Sequence, residues 1–556
     1  MSGFDETFDW VVVGSGAGSM ASALVMREAG KSVLILEKTE FVGGTTAKSG
    51  GVIWVPNNRF LHAAGETDSV EAGAAYLEAV CADLPGSTRA KRLAYVTEAS
   101  KTIDFLVGQG IALERGSSFW PDYYDDAPGG CKTSRTVVAK PFDKKELGAW
   151  EPRLRPGFLN VNARLDDGMK LPYARKSWKI RWLFLKIAFG VVMGRLLGQH
   201  WVTAGAALQG RMLQASLKAG VDIRTGAPVS ELIVEDGKVV GVVCQKDGKP
   251  WRVGAGLGVL VNAGGFAQNQ AMRDRYMPGT QAAWSNTPEG DTGEMHLELE
   301  RVGGVLAQMD QMVGYQTTRA PGWEQAFVKP PGQGLTGKPG AILVDQSGVR
   351  YMNEGGSYEL YCQTMIERNA VVPAIPSWAI FDQRFADEYQ VAGGWVGKKA
   401  QDWIGQGYLK QADTLEELAA LIKVDPAALA ATVARWNGFV DKGADEDFGR
   451  GARAYDQWLG DPFHGPNPAL GRIDKAPFYA VDMVPGDVST YGGAVTDAEA
   501  RVIRADGTPI EGLYATGVST ASVMGGVYPG AGASIGPSLT FGYIAARHAA
   551  GLGNQI

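Results

Sequence analysis

From Trp10 to Val13 the chain runs without a polar residue and then breaks into glycine, "DWVVVGSGAG". An apolar run of that length closed by glycines predicts a strand covered on both faces. An Ala-rich stretch from about Met20 to Ala29 predicts a helix, and Val33 to Leu36 a second apolar strand ending at Glu37. Together they make a βαβ unit of about 30 residues. Residues 205–266 are patterned again. "GAALQGRMLQASLKAG" predicts a helix. "VDIRTGAPVSELIVEDGKVVGVVC" predicts a three-stranded, hairpin-rich unit with turns at Asp236-Gly237 and Asp247-Gly248, and "GVLVNAGGF" another buried strand. From about Leu297 to Val481 the pattern becomes irregular and aromatic, and "TYGGAVTDAEARVIRADGTPIEGLYATG" restores it. The reading is an α/β chain whose first domain, residues 1–296 and 482–556, is interrupted by an α+β domain over 297–481.

Composition narrows the class. A chain of 556 residues with 75 Gly and 45% hydrophobic residues fits a loop-rich globular α/β enzyme of two domains. A net charge of −6 argues against nucleic acid as a partner. Cys81, Cys131, Cys244 and Cys362 have no metal or disulfide spacing, which suits a reducing, cytoplasmic setting. The acidic start "MSGFDETFDW" does not read as a signal peptide, and no run of about 18 uncharged apolar residues predicts a membrane span. Only five His occur, without metal-ligand spacing, so no metal site is expected.

The glycine turn carries the first chemistry. Gly14 and Gly16 allow close approach of the backbone to a pyrophosphate, which the following helix N-terminus would hold with its N–H groups. Ser19 occupies the third position of the GxGxxG pattern. Glu37 would accept hydrogen bonds from an adenosine ribose. "GGTTAKSGG", Gly43 to Gly51, lets backbone run along a flat ring and points to FAD; it contains no His or Cys, so a non-covalent flavin is expected. Asp291, Thr292 and Gly293 are placed at one helix start. Ser534 and Ile535 in "GASIGPSL" are placed at another, whose N–H groups could hold the flavin pyrimidine. The first domain is thus read as a Rossmann-like FAD-binding domain of the glutathione-reductase type.

These segments, with "GSGAGSMASALVMREAGKSVLILEK", "GGTTAKSGGVIWVPNN", "PDYYDDAPGG", "GVRYMNEGGSY" and "TGVSTASVMGGVYPGAGASIGP", resemble the fumarate-reductase-like FAD enzymes. Within that branch the chain is similar to the 3-ketosteroid Δ1-dehydrogenases, over most of its length. The resemblance implies that a 3-ketosteroid loses hydrogens from carbons 1 and 2 and that FAD takes a hydride. It implies that Tyr528 and Gly532 hydrogen-bond the 3-keto oxygen and that Tyr358 removes the carbon 2 proton. Tyr123, rather than Tyr124, would support Tyr358. The cofactor contacts expected are Gly14, Gly16, Glu37, Lys38, Gly44, Thr45, Thr46, Ser49, Gly50, Gly51, Val229, Ala263, Gly264, Asp291, Gly517, Ser534 and Ile535. The electrons would pass to a quinone or another acceptor. The chain departs from the family at Ser19 and in the glycine-rich "EGGSY" before Tyr358. A phenol O–H with a backbone N–H is a sound oxyanion site, and a Tyr base explains the scarcity of His. The alternatives are a fumarate-reductase-like or Δ4-type steroid oxidoreductase, and a flavin-bearing membrane adaptor without turnover.

One segment remains. From Gly168 to Val221 there is no Asp or Glu and there are nine Lys or Arg. About 172–201, basic residues including Lys179, Arg181, Lys186 and Arg195 are mixed with Trp178, Trp182, Phe184, Leu185 and Phe189. This predicts either an interfacial helix that docks a bacterial enzyme on a membrane surface, or one packed on the protein or at a subunit interface. A spanning helix is disfavoured by Lys186 and Arg195. Membrane docking points, among the relatives, to the enzymes acting on cholest-4-en-3-one.

Overall fold

The computed structural model describes residues 3–116, 120–246 and 248–553. Asp247, half of the second expected turn, lies outside these residues. The first apolar run is the inner half of the strand Glu6–Val13, with Trp10, Val11 and Val12 wholly inaccessible. It pairs in parallel with Val33–Leu36 on one side and with Lys249–Val261 on the other. The order across this path is Arg501–Ile503, Pro509–Ala515, Lys249–Val261, Glu6–Val13, Val33–Leu36, Asp222–Arg224. Strand order reverses at Glu6–Val13, and ligands of open α/β sheets bind above such a point.

The expected hairpin arm and the expected strand at "GVLV" are one strand. Lys249–Val261 pairs antiparallel with Lys238–Lys246 through its polar start and parallel with Glu6–Val13 and Pro509–Ala515 through its apolar end. The helix Ala17–Glu28 packs on the C-terminal helix Ile535–Ala549. Their closest approach is at Gly18, where a Cβ would lie 2.3 Å from the Ser538 carbonyl oxygen, and at Gly542. Gly18 therefore provides the close approach that the pattern would assign to a glycine at position 19.

A second sheet is antiparallel: Met312–Thr317, Phe478–Thr490, Ser377–Asp382 and Ala341–Val344, with Lys410–Ala412 also paired to Phe478–Thr490. Residue 481, the expected point of return, falls inside the strand Phe478–Thr490. The basic segment forms the helix Trp178–Leu196. Among the described residues no helix is long and apolar enough to cross a membrane. Its root is tied to the unit built on the second sheet. The Tyr173 hydroxyl donates to the Gly460 carbonyl at 2.7 Å, and the Lys176 ammonium bonds Asp461 and Glu388.

Candidate active site

All the residues expected at the cofactor and the reaction line one cavity of about 780 Å³ between the two sheets. At its nucleotide end, Gly14 has φ +93°, and a Cβ there would lie 2.2 Å from the Asn262 carbonyl oxygen. Gly16 caps the helix Ala17–Glu28 without a side-chain cap of its own, and the start of the helix at Gly16 and Ala17 lines the cavity, where it can receive an anion. Ser15 Oγ donates to Glu37 Oε2 at 2.5 Å and accepts from the Gly43 amide at 3.0 Å, so the turn, the acidic residue and the 43–51 segment move as one. Lys38 Nζ donates to Thr292 Oγ1 and Glu294 Oε1, each at 2.6 Å. Gly51, at φ +65°, lies so close to Gly205 that a Cβ would fall 2.5 Å from its nitrogen.

Asp291 is the most telling group. Its Oδ1 accepts from the Gly265 amide at 2.5 Å, and its Oδ2 is buried with no partner among the described residues. Burial pushes its pKa up to about 6, against the Gly265 amide and with the Asp487 charge adding to the rise. A buried orphan acceptor on the cavity wall suits a sugar or ribityl hydroxyl. At the other end Ser534 starts the helix Ile535–Ala549 with no side-chain cap, and both residues line the cavity. A dinucleotide needs an acceptor for its ribose, bare N–H groups for its pyrophosphate and donors for its ring. The residues present therefore fit FAD.

Beyond the second helix start stand three phenols from three distant segments. The Tyr358 ring lies 5.4 Å from Tyr123 and 5.3 Å from Tyr528, and Tyr123 lies 5.9 Å from Tyr528. Local structure explains each position. Asp122 is buried, with Oδ1 accepting from Trp54 Nε1 and Oδ2 from Arg135 Nη1, both at 2.7 Å. The Tyr123 amide then donates to the Pro529 carbonyl at 2.9 Å, which joins "PDYYDD" to "YPGAG". The turn before Tyr358 is fixed by Arg350, which bonds Glu354 at 2.7 and 2.8 Å and Asp445 at 2.7 and 3.0 Å. Tyr358 itself opens the helix Tyr358–Asn369. Gly532, at φ +94°, has room for no side chain: a Cβ would lie 2.5 Å from the Val52 carbonyl oxygen. Tyr124 does not line the cavity; its ring lies under the Arg453 guanidinium, 5.2 Å from centroid to cation.

Burial raises the pKa of all three phenols. For Tyr358 the rise is large; Tyr528 adds to it, and the Tyr123 hydroxyl opposes it by hydrogen bonding. For Tyr528 the rise is opposed by hydrogen bonds from Tyr358 and from the Ser534 and Gly532 amides. The Tyr528 hydroxyl and the Gly532 N–H thus stand together at one end of the cavity.

Several cavity residues carried no sequence signal. Tyr315 is one, a phenol on the strand Met312–Thr317 that burial raises to about 12. Arg155 and Trp120 are two others, and Lys48 lies inside the Gly43–Gly51 segment without having been singled out.

The family described as "FAD binding domain" matches residues 9–535. The chain is 36% identical to 3-oxosteroid 1-dehydrogenase of Mycobacterium tuberculosis (strain ATCC 25618 / H37Rv) over 563 residues, 98% of either chain. It is 34% identical to 4-oxocyclohex-2-ene-1-carboxylate 5-dehydrogenase of Sinomonas cyclohexanicum, over 98% of this chain and 94% of that one. Its fold matches the crystal structure of 3-ketosteroid delta1-dehydrogenase from Sterolibacterium denitrificans in complex with 1,4-androstadiene-3,17-dione. That match has a TM-score of 0.91 at 32% identity and covers 99% of this chain and 100% of the other. With the FAD cradle and the three converging tyrosines in one cavity, the chain belongs to the 3-oxosteroid 1-dehydrogenase family of FAD-dependent oxidoreductases.

Proposed function

We propose that the protein catalyses 1,2-dehydrogenation of 3-ketosteroids, with cholest-4-en-3-one to cholesta-1,4-dien-3-one as the reaction it is built for. The observation that carries this is the convergence of Tyr528, Gly532 and Tyr358 at one end of the flavin cavity. Tyr528 O–H and Gly532 N–H donate to the 3-keto oxygen and stabilise the enolate as it forms, a donor of this kind contributing about 3–4 kcal/mol. Tyr358 takes the carbon 2 proton. Tyr123 donates a hydrogen bond to the Tyr358 oxygen and so favours its ionised form. FAD held without a covalent bond along Gly14, Glu37, Asp291 and Ser534 would supply the acceptor for the carbon 1 hydride, with a quinone or another acceptor as the onward electron sink.

The sterol preference rests on the helix Trp178–Leu196. Trp178, Trp182, Leu185, Phe189, Val192 and Leu196 recur at three- and four-residue spacing and are 78, 70, 60, 66, 56 and 75% exposed. They form one apolar stripe flanked by Lys179, Lys186, Arg181 and Arg195, while Ile180, Leu183, Phe184 and Ile187 are half-buried. Such a helix lies in the headgroup region of a bilayer, its rings inserted and its cations at the phosphates. A sterol with an intact side chain is insoluble in water and has to be collected there.

A second reading is a smaller cyclic ketone carrying a carboxylate. Lys48 lines the cavity 5.0 Å from the Phe327 ring, and burial, with repulsion from Lys329 and Arg155, lowers its pKa to about 8 against the Glu289 charge. An ammonium so placed favours an anionic substituent, such as the one named for the Sinomonas relative. Anaerobic bleaching of the flavin by a panel of ketones decides between the two. Bleaching by cholest-4-en-3-one and androst-4-ene-3,17-dione supports the steroid reading; bleaching by 4-oxocyclohexanecarboxylate alone replaces it.

A further inference from the structure

Behind the turn that carries Ser534 lies a second cavity, about 30 Å³ in volume, room for about one water. Gly517, Val518 and Ser534 line both this chamber and the flavin cavity, so the wall between them is a single layer of chain. Lys91 and Phe541 close the far side.

Lys91 belongs to the first turn of the helix Arg89–Gly108 and is 2% exposed. Its ammonium donates to Thr496 Oγ1 at 2.7 Å and stands 5.2 Å from the centre of the Phe541 ring. Among the described residues it has no carboxylate at ion-pair distance. Asp497, the nearest anion by its effect, is committed elsewhere: its oxygens accept from the Glu499 and Arg501 amides and from the Arg501 guanidinium. Burial lowers the Lys91 pKa to about 7, with the Asp497 charge opposing. A buried cation without a partner is costly. Here it also faces Ala533, Ser534 and Pro537, the start of the C-terminal helix, which is the positive end of that helix dipole. Two positive features set back to back repel each other. A negative charge on the other side of the shared wall would relieve both.

We propose that Lys91 sets the reduction potential of the flavin, its ammonium acting through the Gly517–Val518–Ser534 wall to stabilise the negative charge that hydride uptake adds. The charge balance is simple: a hydride brings two electrons and one proton, and leaves the ring system one unit more negative. Lys91 is a positioning residue for charge and touches neither substrate nor flavin. The proposal rests on FAD in the cavity and not on the identity of the ketone.

The test is the two-electron midpoint potential of the full-length holoenzyme, read against a reference dye with no steroid present. Lys91→Met should shift the reduction equilibrium at least tenfold toward the oxidised form, a fall of about 30 mV. Lys91→Arg should stay near wild type. Thermal stability of Lys91→Met should not fall, because an unpaired buried charge has been removed. Lys91→Gln, which can keep the bond to Thr496, should show the same fall and serves if the Met variant does not hold FAD. An unchanged potential in the neutral variant that retains FAD overturns the proposal, as does an equal fall in Lys91→Arg. Because the potential is read without substrate, failure to turn over steroids leaves this result untouched.

Discussion

Tyr123 meets Tyr358 edge to face, with ring centroids 5.4 Å apart and planes at 72°. On the proposed mechanism this contact would let a phenol act as a base in a buried site. Burial and the neighbouring Tyr528 drive the Tyr358 pKa well up, and the Tyr123 hydroxyl is the group that pulls it back. Tyr358→Phe and Tyr528→Phe should each lower turnover by at least ~100-fold, with FAD content unchanged. Tyr123→Phe should cost less, since it acts through Tyr358, and Tyr124→Phe least. A larger loss in Tyr124→Phe than in Tyr123→Phe would reverse the assignment of the supporting phenol.

The same pKa direction fixes a pH dependence. A group whose pKa is raised is mostly protonated at neutral pH, and a phenol with pKa near 10 is ionised to about 0.1% at pH 7. The working form of Tyr358 therefore grows about tenfold per pH unit toward the alkaline side. Stopped-flow reduction of the flavin should rise with a slope near one in log rate between about pH 6 and pH 9. A flat profile over that range would exclude a phenolate base.

Asp291 offers a test of cofactor binding that needs no turnover. Its free oxygen is placed for a hydroxyl of the bound dinucleotide, and a hydrogen bond to a charged group contributes about 1.5–3 kcal/mol. Asp291→Ala should weaken FAD binding by roughly ten- to hundredfold, measured by fluorescence on reconstitution of the apoprotein. Acid precipitation of the wild type should release intact FAD; flavin left on the chain would show a covalent bond.

Liposome binding tests the exposed stripe. Cations at an anionic surface give a part that salt screens, and inserted rings give a part that it does not. Binding to phosphatidylserine vesicles should weaken with salt without vanishing. Replacing Trp178, Trp182, Leu185 and Phe189 by Ser should abolish it and spare activity on androst-4-ene-3,17-dione. Phe184 is left in place because it is half-buried. Equal loss on soluble and vesicle-held substrates would assign the helix to the folded core.

Much of this architecture was legible because its signals are local. The run Trp10–Val13, the glycine turn and Glu37 lie within one βαβ unit, where backbone needs fix the residue types. The resemblance then named Tyr358, Tyr528 and Gly532, and the structure brings them to one cavity with the flavin segments. What periodicity could not supply is which way the second sheet faces. Tyr315 alternates with buried neighbours like any strand residue, and only the packing of Met312–Thr317 against the flavin domain turns it toward the cavity. Lys91 was equally silent: it sits in a helix whose polar and apolar residues alternate, and its burial depends on the C-terminal helix some 450 residues away. The return point placed at 481 fell within a strand because Phe478–Thr490 stays paired and largely buried well past it, although its sequence turns polar at Asp482.

The bond from the Tyr123 amide to the Pro529 carbonyl joins segments roughly four hundred residues apart, a closure that no short fragment can make. A nascent chain on the ribosome has neither the floor of the cavity nor the helix start at Ser534 until those residues have been made. FAD can be gripped from both sides only after that point. A premature stop or a proteolytic cut that removes the last thirty or so residues would leave a chain that no added flavin can rescue, because a ligand stabilises only the state that binds it. Flavin supply would then govern how much of the protein a cell keeps as well as how fast each molecule works.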